Sequence, residues 1–208
     1  MVRLLIVLLA FAMASPALAK DCTQDVLAAF QKQRASKAFR VEFDQATQGG
    51  VAHMRVDYVP PDKMMQTVTS PALPGEQQTM LVGNRAYAGS NGSFEELLPQ
   101  FTQSIVAEVR TALAVSKDNI GTFECLGPAK FDNRDFVAYR TKETYPPGTE
   151  PAKMLARTLY VDPESGLPAF NVVASISGDS KPLMTVVYSY PDNVEIIAPK
   201  NAPVQKLH

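Results

Sequence analysis

Two neighbouring stretches restrict the fold before anything else does. Ala52, Met54, Val56 and Tyr58 alternate with His53, Arg55 and Asp57, and just upstream Phe39, Val41 and Phe43 alternate with Arg40, Glu42 and Asp44. A period of two marks a strand with one apolar face, because successive side chains in extended backbone point to opposite sides. "QGG" at 48–50 turns the chain between them, so the two strands pair as a hairpin. "VPPD" at 59–62 ends the second strand, since proline brings no N–H to a ladder.

The same signals recur along the chain. Strands are predicted at 63–70 and on either side of Gly83-Asn84 within 78–89. "TFECLGPAKF" and "RDFVAYRTKE" flank the turn "DNR", and further strands follow at 153–162, 167–177 and 182–190, with a short apolar end, "VEIIAP". Two stretches carry a helical period instead. Asp21 or Thr23 can cap a first helix with Val26, Leu27 and Phe30 on one face. After "SNGS" at 90–93, Leu97, Phe101, Ile105, Val109 and Leu113 recur every four residues, entered through Ser93, Glu95 and Glu96 and stopped at Asn119-Ile120-Gly121. The order is helix, about five strands, helix, about five strands, for about ten strands in all. Sequential strands on short turns make an antiparallel sheet, and two helices must cover one of its faces, so the class is α+β.

The first 19 residues have the features of a secretory leader: Arg3, the apolar run "LLIVLLAFAMA" at 4–14, and "ALA" at 17–19 as a cleavage site. They predict a single domain over 20–208 in the periplasm. Cys22 follows Lys20 and Asp21, whereas a lipidated bacterial cysteine needs a small residue before it. Cys22 could be an anchor, a reactive thiol or half of a disulfide. Export and a total of two cysteines favour pairing with Cys125.

The formal net charge is −1, with no basic stripe, which argues against a nucleic-acid partner. Reaction machinery is not apparent. No phosphate loop, Gly-x-Ser-x-Gly elbow, His-Glu-x-x-His or Cys-x-x-Cys occurs, and the two histidines are His53 and His208. Glu95-Glu96 and Asp132/Asp135 fit a helix entry and a turn, so the expectation is a non-enzyme without metal or cofactor. What stands out is methionine on predicted strands: Met54, Met64, Met65, Met80, Met154 and Met184. Such a face either fills gaps in an ordinary core or adapts to apolar ligands of varied shape.

Several strings, in order, resemble the LolA/LolB/LppX group of periplasmic lipoprotein and lipid carriers. They are "FRVEF" at 39–43, "VDYVPPDKM" at 56–64, "MLVGNRAYAG" at 80–89 and "RTLYVDPESGLPAF" at 157–170, the last with Tyr160 where the group usually has tryptophan. The resemblance implies a strongly curved antiparallel sheet, an incomplete barrel, with helices across its concave side and an acyl chain or other lipid part held between. Candidate cavity residues are Met54, Val56, Tyr58, Met80, Val82, Met154 and Tyr160 on the sheet and Phe101, Ile105 and Val109 on the helix. Burying an acyl chain there gains about 0.8 kcal/mol per methylene before ordering costs. The partner expected is a hydrophobic small molecule or lipid, with transient contact to a membrane or lipoprotein. The same fold also resembles the sensory domain of the regulator RseB, which implies the alternative of a protein-interaction module with no bound lipid.

Overall fold

The computed structural model of the chain describes residues 21–178 and 181–206, so the leader expected at 1–19 lies outside the described residues. Helix α1 (Thr23–Arg34) is followed by β1 (Phe39–Thr47), β2 (Gly50–Val59), β3 (Lys63–Thr69), β4 (Gln77–Val82), β5 (Arg85–Ser90) and β6 (Ser93–Glu96). Then come α2 (Pro99–Leu113), a short α3 (Lys117–Ile120), β7 (Phe123–Phe131), β8 (Arg134–Thr141), β9 (Leu155–Val161), β10 (Pro168–Ser175) and β11 (Met184–Ser189). The eleven strands form one sheet in the order β6-β5-β4-β3-β2-β1-β11-β10-β9-β8-β7. Every adjacent pair is antiparallel. β6 and β7 stand at opposite edges, so the curved sheet is an unclosed barrel within an α+β fold.

The β1–β2 hairpin forms as its alternation predicts, with Val41 opposite Val56 and Phe43 opposite Met54. The long helix starts later than expected. Asn91 and Gly92 both take positive φ (51° and 84°) and close a hairpin that pairs Ser90 with Ser93. Ser93–Glu96 is therefore an edge strand, and the helix begins at Pro99, whose missing N–H costs nothing at a first turn. The apolar end "VEIIAP" forms no strand.

Register assigns each side chain to one of two faces. Val41 lies opposite both Val56 and Tyr188, so the two halves of the sheet share one inner face, and both long helices lie on it. α1 sets Val26, Ala29 and Phe30 against Phe123, Leu159 and Val161, while α2 sets Val109 against Val56, Met64, Leu81 and Ala86. The outer face is covered as well. Ile196 and its neighbours in the C-terminal segment lie on Met80 and Tyr87. An aromatic group of Phe131, Phe136, Tyr160 and Phe170 fills the outer face of β8–β10.

A disulfide joins Cys22 to Cys125 across 103 residues, with Cα atoms 5.4 Å apart. It fastens the start of α1 to β7. Backbone and side-chain bonds reinforce the attachment: Cys22 N–H donates to the Phe123 carbonyl at 2.9 Å, and the Phe123 N–H donates to Thr23 Oγ1 at 3.0 Å.

Candidate functional site: the cleft between sheet and helices

The two helices are seated very differently. α1 buries Thr23, Val26, Ala29, Phe30 and Gln33 in 12 residues, whereas α2 buries Val109 alone in 15. Ile105, Val106 and Leu113 of α2 reach the sheet but remain half-buried. The inner-face residues beneath and beyond them, Val41, Phe43, Met54, Tyr58 and Val68, are half-buried too. An apolar face touched by so few fully buried side chains is a floor with an incomplete roof.

Between α1, the end of α2 and the sheet centre lies a cleft of about 270 Å³, lined by Phe30, Arg34, Val115, Arg157, Asn171 and Tyr188, among others. Arg34 projects one turn after Phe30, on the face of α1 that meets the sheet. Its Nε donates to the Ala112 carbonyl at 2.9 Å, tying α1 to the last turn of α2, and its guanidinium stands 4.5 Å from the centre of the Phe39 ring. Phe39 in turn stacks on Tyr58 at 4.8 Å. From β9, Arg157 lies over Phe123 and donates to the Ile120 carbonyl, holding α3. Buried Gln33 donates to the Tyr190 hydroxyl at 3.1 Å, which donates to the Pro168 carbonyl at 2.7 Å and anchors α1 to the sheet.

Burial dominates the electrostatics. It pushes the Arg34 guanidinium below its ordinary range, partly opposed by the nearby tyrosines. It pushes Tyr58, Tyr188 and Tyr190 up. The paired carboxylates sit apart in structural roles. Glu96 pairs with Arg85, which holds its carboxyl below the usual range, and Lys130 pairs with Asp135 at 2.7 Å. Exposed His53 lies 2.8 Å from Asp44. The one group of metal-ligating side chains among the described residues, Cys22, Asp25 and Cys125, contains the disulfide, whose sulfurs are already committed.

Four of the sequence-predicted residues come together under α2: Val56, Tyr58, Ile105 and Val109. Met54 shares their face one position further out, level with Phe43 and Val68. Phe101 lies on the outside of α2, 47% exposed, beside a groove of about 370 Å³ shared with Leu97, Ser104, Ile105 and Gln205. Three residues lie on the opposite face. Met80 and Val82 pack under the C-terminal segment, and Leu81 is the apolar β4 residue that points inward. Tyr160 stacks on Phe131 at 4.6 Å, while its neighbour Leu159 faces α1. Met154 caps the turn before β9 and belongs to none of the four apolar clusters.

The residues that sequence reasoning missed are Arg34, Arg157, Asn171 and Tyr188. Three of them had a signal, a polar residue in an inward phase. Arg157 falls in phase with Leu155 and Leu159, Asn171 interrupts "AFNVVAS", and Arg34 falls four residues after Phe30.

No protein-family model matches the chain, and no curated protein does. Among solved structures it is similar to LprF of Mycobacterium bovis, at 11% identity over 85% of this chain and 96% of that one, with a TM-score of 0.45. It is similar to the MucA/MucB complex of Pseudomonas aeruginosa at 12% identity and a TM-score of 0.46, covering 89% of this chain but 63% of that one. A LolA superfamily protein of Nitrosomonas europaea matches at 13% identity over 83% of this chain and 92% of that one, with a TM-score of 0.29. At identities this low, the chain resembles these proteins in fold and in nothing further.

Proposed function

We propose that this chain is a non-enzymatic periplasmic binder or carrier of an acyl-bearing, hydrophobic molecule, held on the inner face of the sheet beneath α2. The observation that carries this is the seating of α2, one fully buried side chain over a row of half-buried apolar ones. A guest between helix and sheet would complete the burial that Tyr58, Ile105, Val106 and Leu113 now make only in part. Each methylene removed from water adds about 0.8 kcal/mol, so a ten-carbon stretch gives roughly 8 kcal/mol before ordering costs, enough for micromolar binding. Met54, Val56, Tyr58, Ile105 and Val109 are the wall residues of this proposal. The compartment rests on the leader-like start and the disulfide; no helix among the described residues is long and apolar enough to cross a membrane.

A second reading, a protein-interaction module, has its own observation. Leu155, Ile176, Leu183 and Met184 are all exposed, Leu183 by 68%, and converge at one end of β9–β11. Native mass spectrometry of the purified protein separates the two. The carrier predicts an added mass of lipid size that solvent extraction removes. A protein that emerges empty and ignores fluorescent fatty-acid probes leaves the interaction module standing instead.

A further inference from the structure

We infer that the cleft between the helices holds an oxyanion, carboxylate or phosphate, at the head of the acyl chain proposed above, with Arg34 and Arg157 as its cationic walls. This rests on the proposed function and adds a selectivity that a merely oily cleft would lack.

The inference begins from charge. Among the described residues, Arg40, Arg55, Arg85 and Arg140 each have a carboxylate within ion-pair distance. Arg34, Arg110, Arg134 and Arg157 have none, and of these Arg34 and Arg157 both line the cleft between helices and sheet centre. Their protein partners are neutral: the Ala112 carbonyl and the Gln33 side chain for Arg34, and the Ile120 carbonyl for Arg157. Arg34 Nη2 and Arg157 Nε and Nη1 donate to no described residue. Arg34 and Arg157 are half-buried and both favour the ionised form of Tyr188, which puts two positive charges near that hydroxyl, an arrangement that suits an anion. Guanidinium forks match the planar geometry of a carboxylate or phosphate edge.

The floor adds a hydroxyl donor. Asn171 Oδ1 is buried and has no hydrogen-bond partner, while Nδ2 lies 3.5 Å from the Tyr188 hydroxyl. Tyr188 already accepts from Asn171, so its own proton is left to donate into the cleft. The apolar track continues from this point, since Tyr188 lies opposite Val41, which lies opposite Val56. A head group at Arg34 and Arg157 therefore sits where a chain can run under α2.

The test compares four ligands by calorimetry on the full chain at about pH 7.5, where a carboxylate is ionised: decanoate, decyl phosphate, decanol and inorganic phosphate. Decanoate and decyl phosphate are expected to bind at least about tenfold more tightly than decanol. Arg157→Gln should bring decanoate to within about twofold of decanol while leaving decanol unchanged, and Arg157→Lys should keep most of the preference, with melting curves confirming that both variants fold. Equal binding of decanoate and decanol to the wild type overturns this inference and leaves the acyl binder intact. Binding of neither removes both. Inorganic phosphate competing as well as decyl phosphate would mean a plain anion site with no chain attached.

Discussion

Replacing Cys22 and Cys125 together by serine lowers the unfolding free energy by up to about 4–5 kcal/mol, the value expected when a loop of about 100 residues is no longer closed in the unfolded chain. The loss is large beside the 5–15 kcal/mol typical of a whole domain. It acts at a particular place. The disulfide ties the first turn of α1 to edge strand β7, and that contact joins residues 103 positions apart. Without it, among the described residues, the Asp21–Glu124 bridge, the Cys22–Phe123 and Thr23–Phe123 hydrogen bonds and the packing of Val26 and Phe30 hold the helix start. Denaturant titration of the oxidised protein and the double variant measures the difference, and hydrogen exchange should show α1 and β7 losing protection first. A midpoint unchanged by the double substitution, or by a reductant, would show that the cross-link adds nothing.

The second large effect is expected at Val109. It is 2% exposed and is the sole fully buried residue of α2. Val109→Asp would press a carboxylate among Val56, Met64, Leu81 and Ala86, with no cation among those four side chains. Leaving such a group unpaired costs about 3 kcal/mol or more. Because α2 has no other buried anchor, the cheaper response is for the helix to lift off while the sheet persists. The outer face of the same strands keeps its own cover from Ile196 and its neighbours. Exchange should therefore rise across 99–113 with β8–β10 still protected, and acyl-probe binding should fall with it. Loss of protection across all strands at once would mean that α2 is part of the core and no lid.

How far the sequence disclosed this arrangement depended on whether a strand shows one apolar face or two. β1 and β2 alternate cleanly, and their predicted hairpin and inward set (Phe43, Met54, Val56, Tyr58) match the register. "TMLV" and "TLYV" are continuous apolar runs, because the C-terminal segment covers the outer side of one and an aromatic group fills that of the other. A continuous run has no phase, and a shift of one residue exchanges the faces. Such a run lets Met80, Val82 and Tyr160 read as inward, whereas in the fold Leu81 and Leu159 point inward. The late start of α2 has a different cause. Glu95 and Glu96 suit a helix entry as well as a strand, and the outcome was decided by the positive φ of Asn91 and Gly92. The arginines of the cleft stand outside any apolar pattern, so hydrophobic periodicity does not mark them. In an inward phase, the polar exceptions were the informative ones.

The central claim is that a guest's chain lies along the inner face, and the chain's lack of tryptophan makes that directly measurable. Phe43→Trp places a single reporter on the inner face beside Met54, and Phe131→Trp places one in the outer aromatic group. A brominated fatty acid quenches tryptophan only at close range. Saturable quenching at position 43 with none at 131 is the predicted result; equal quenching at both, or none at position 43, would contradict it.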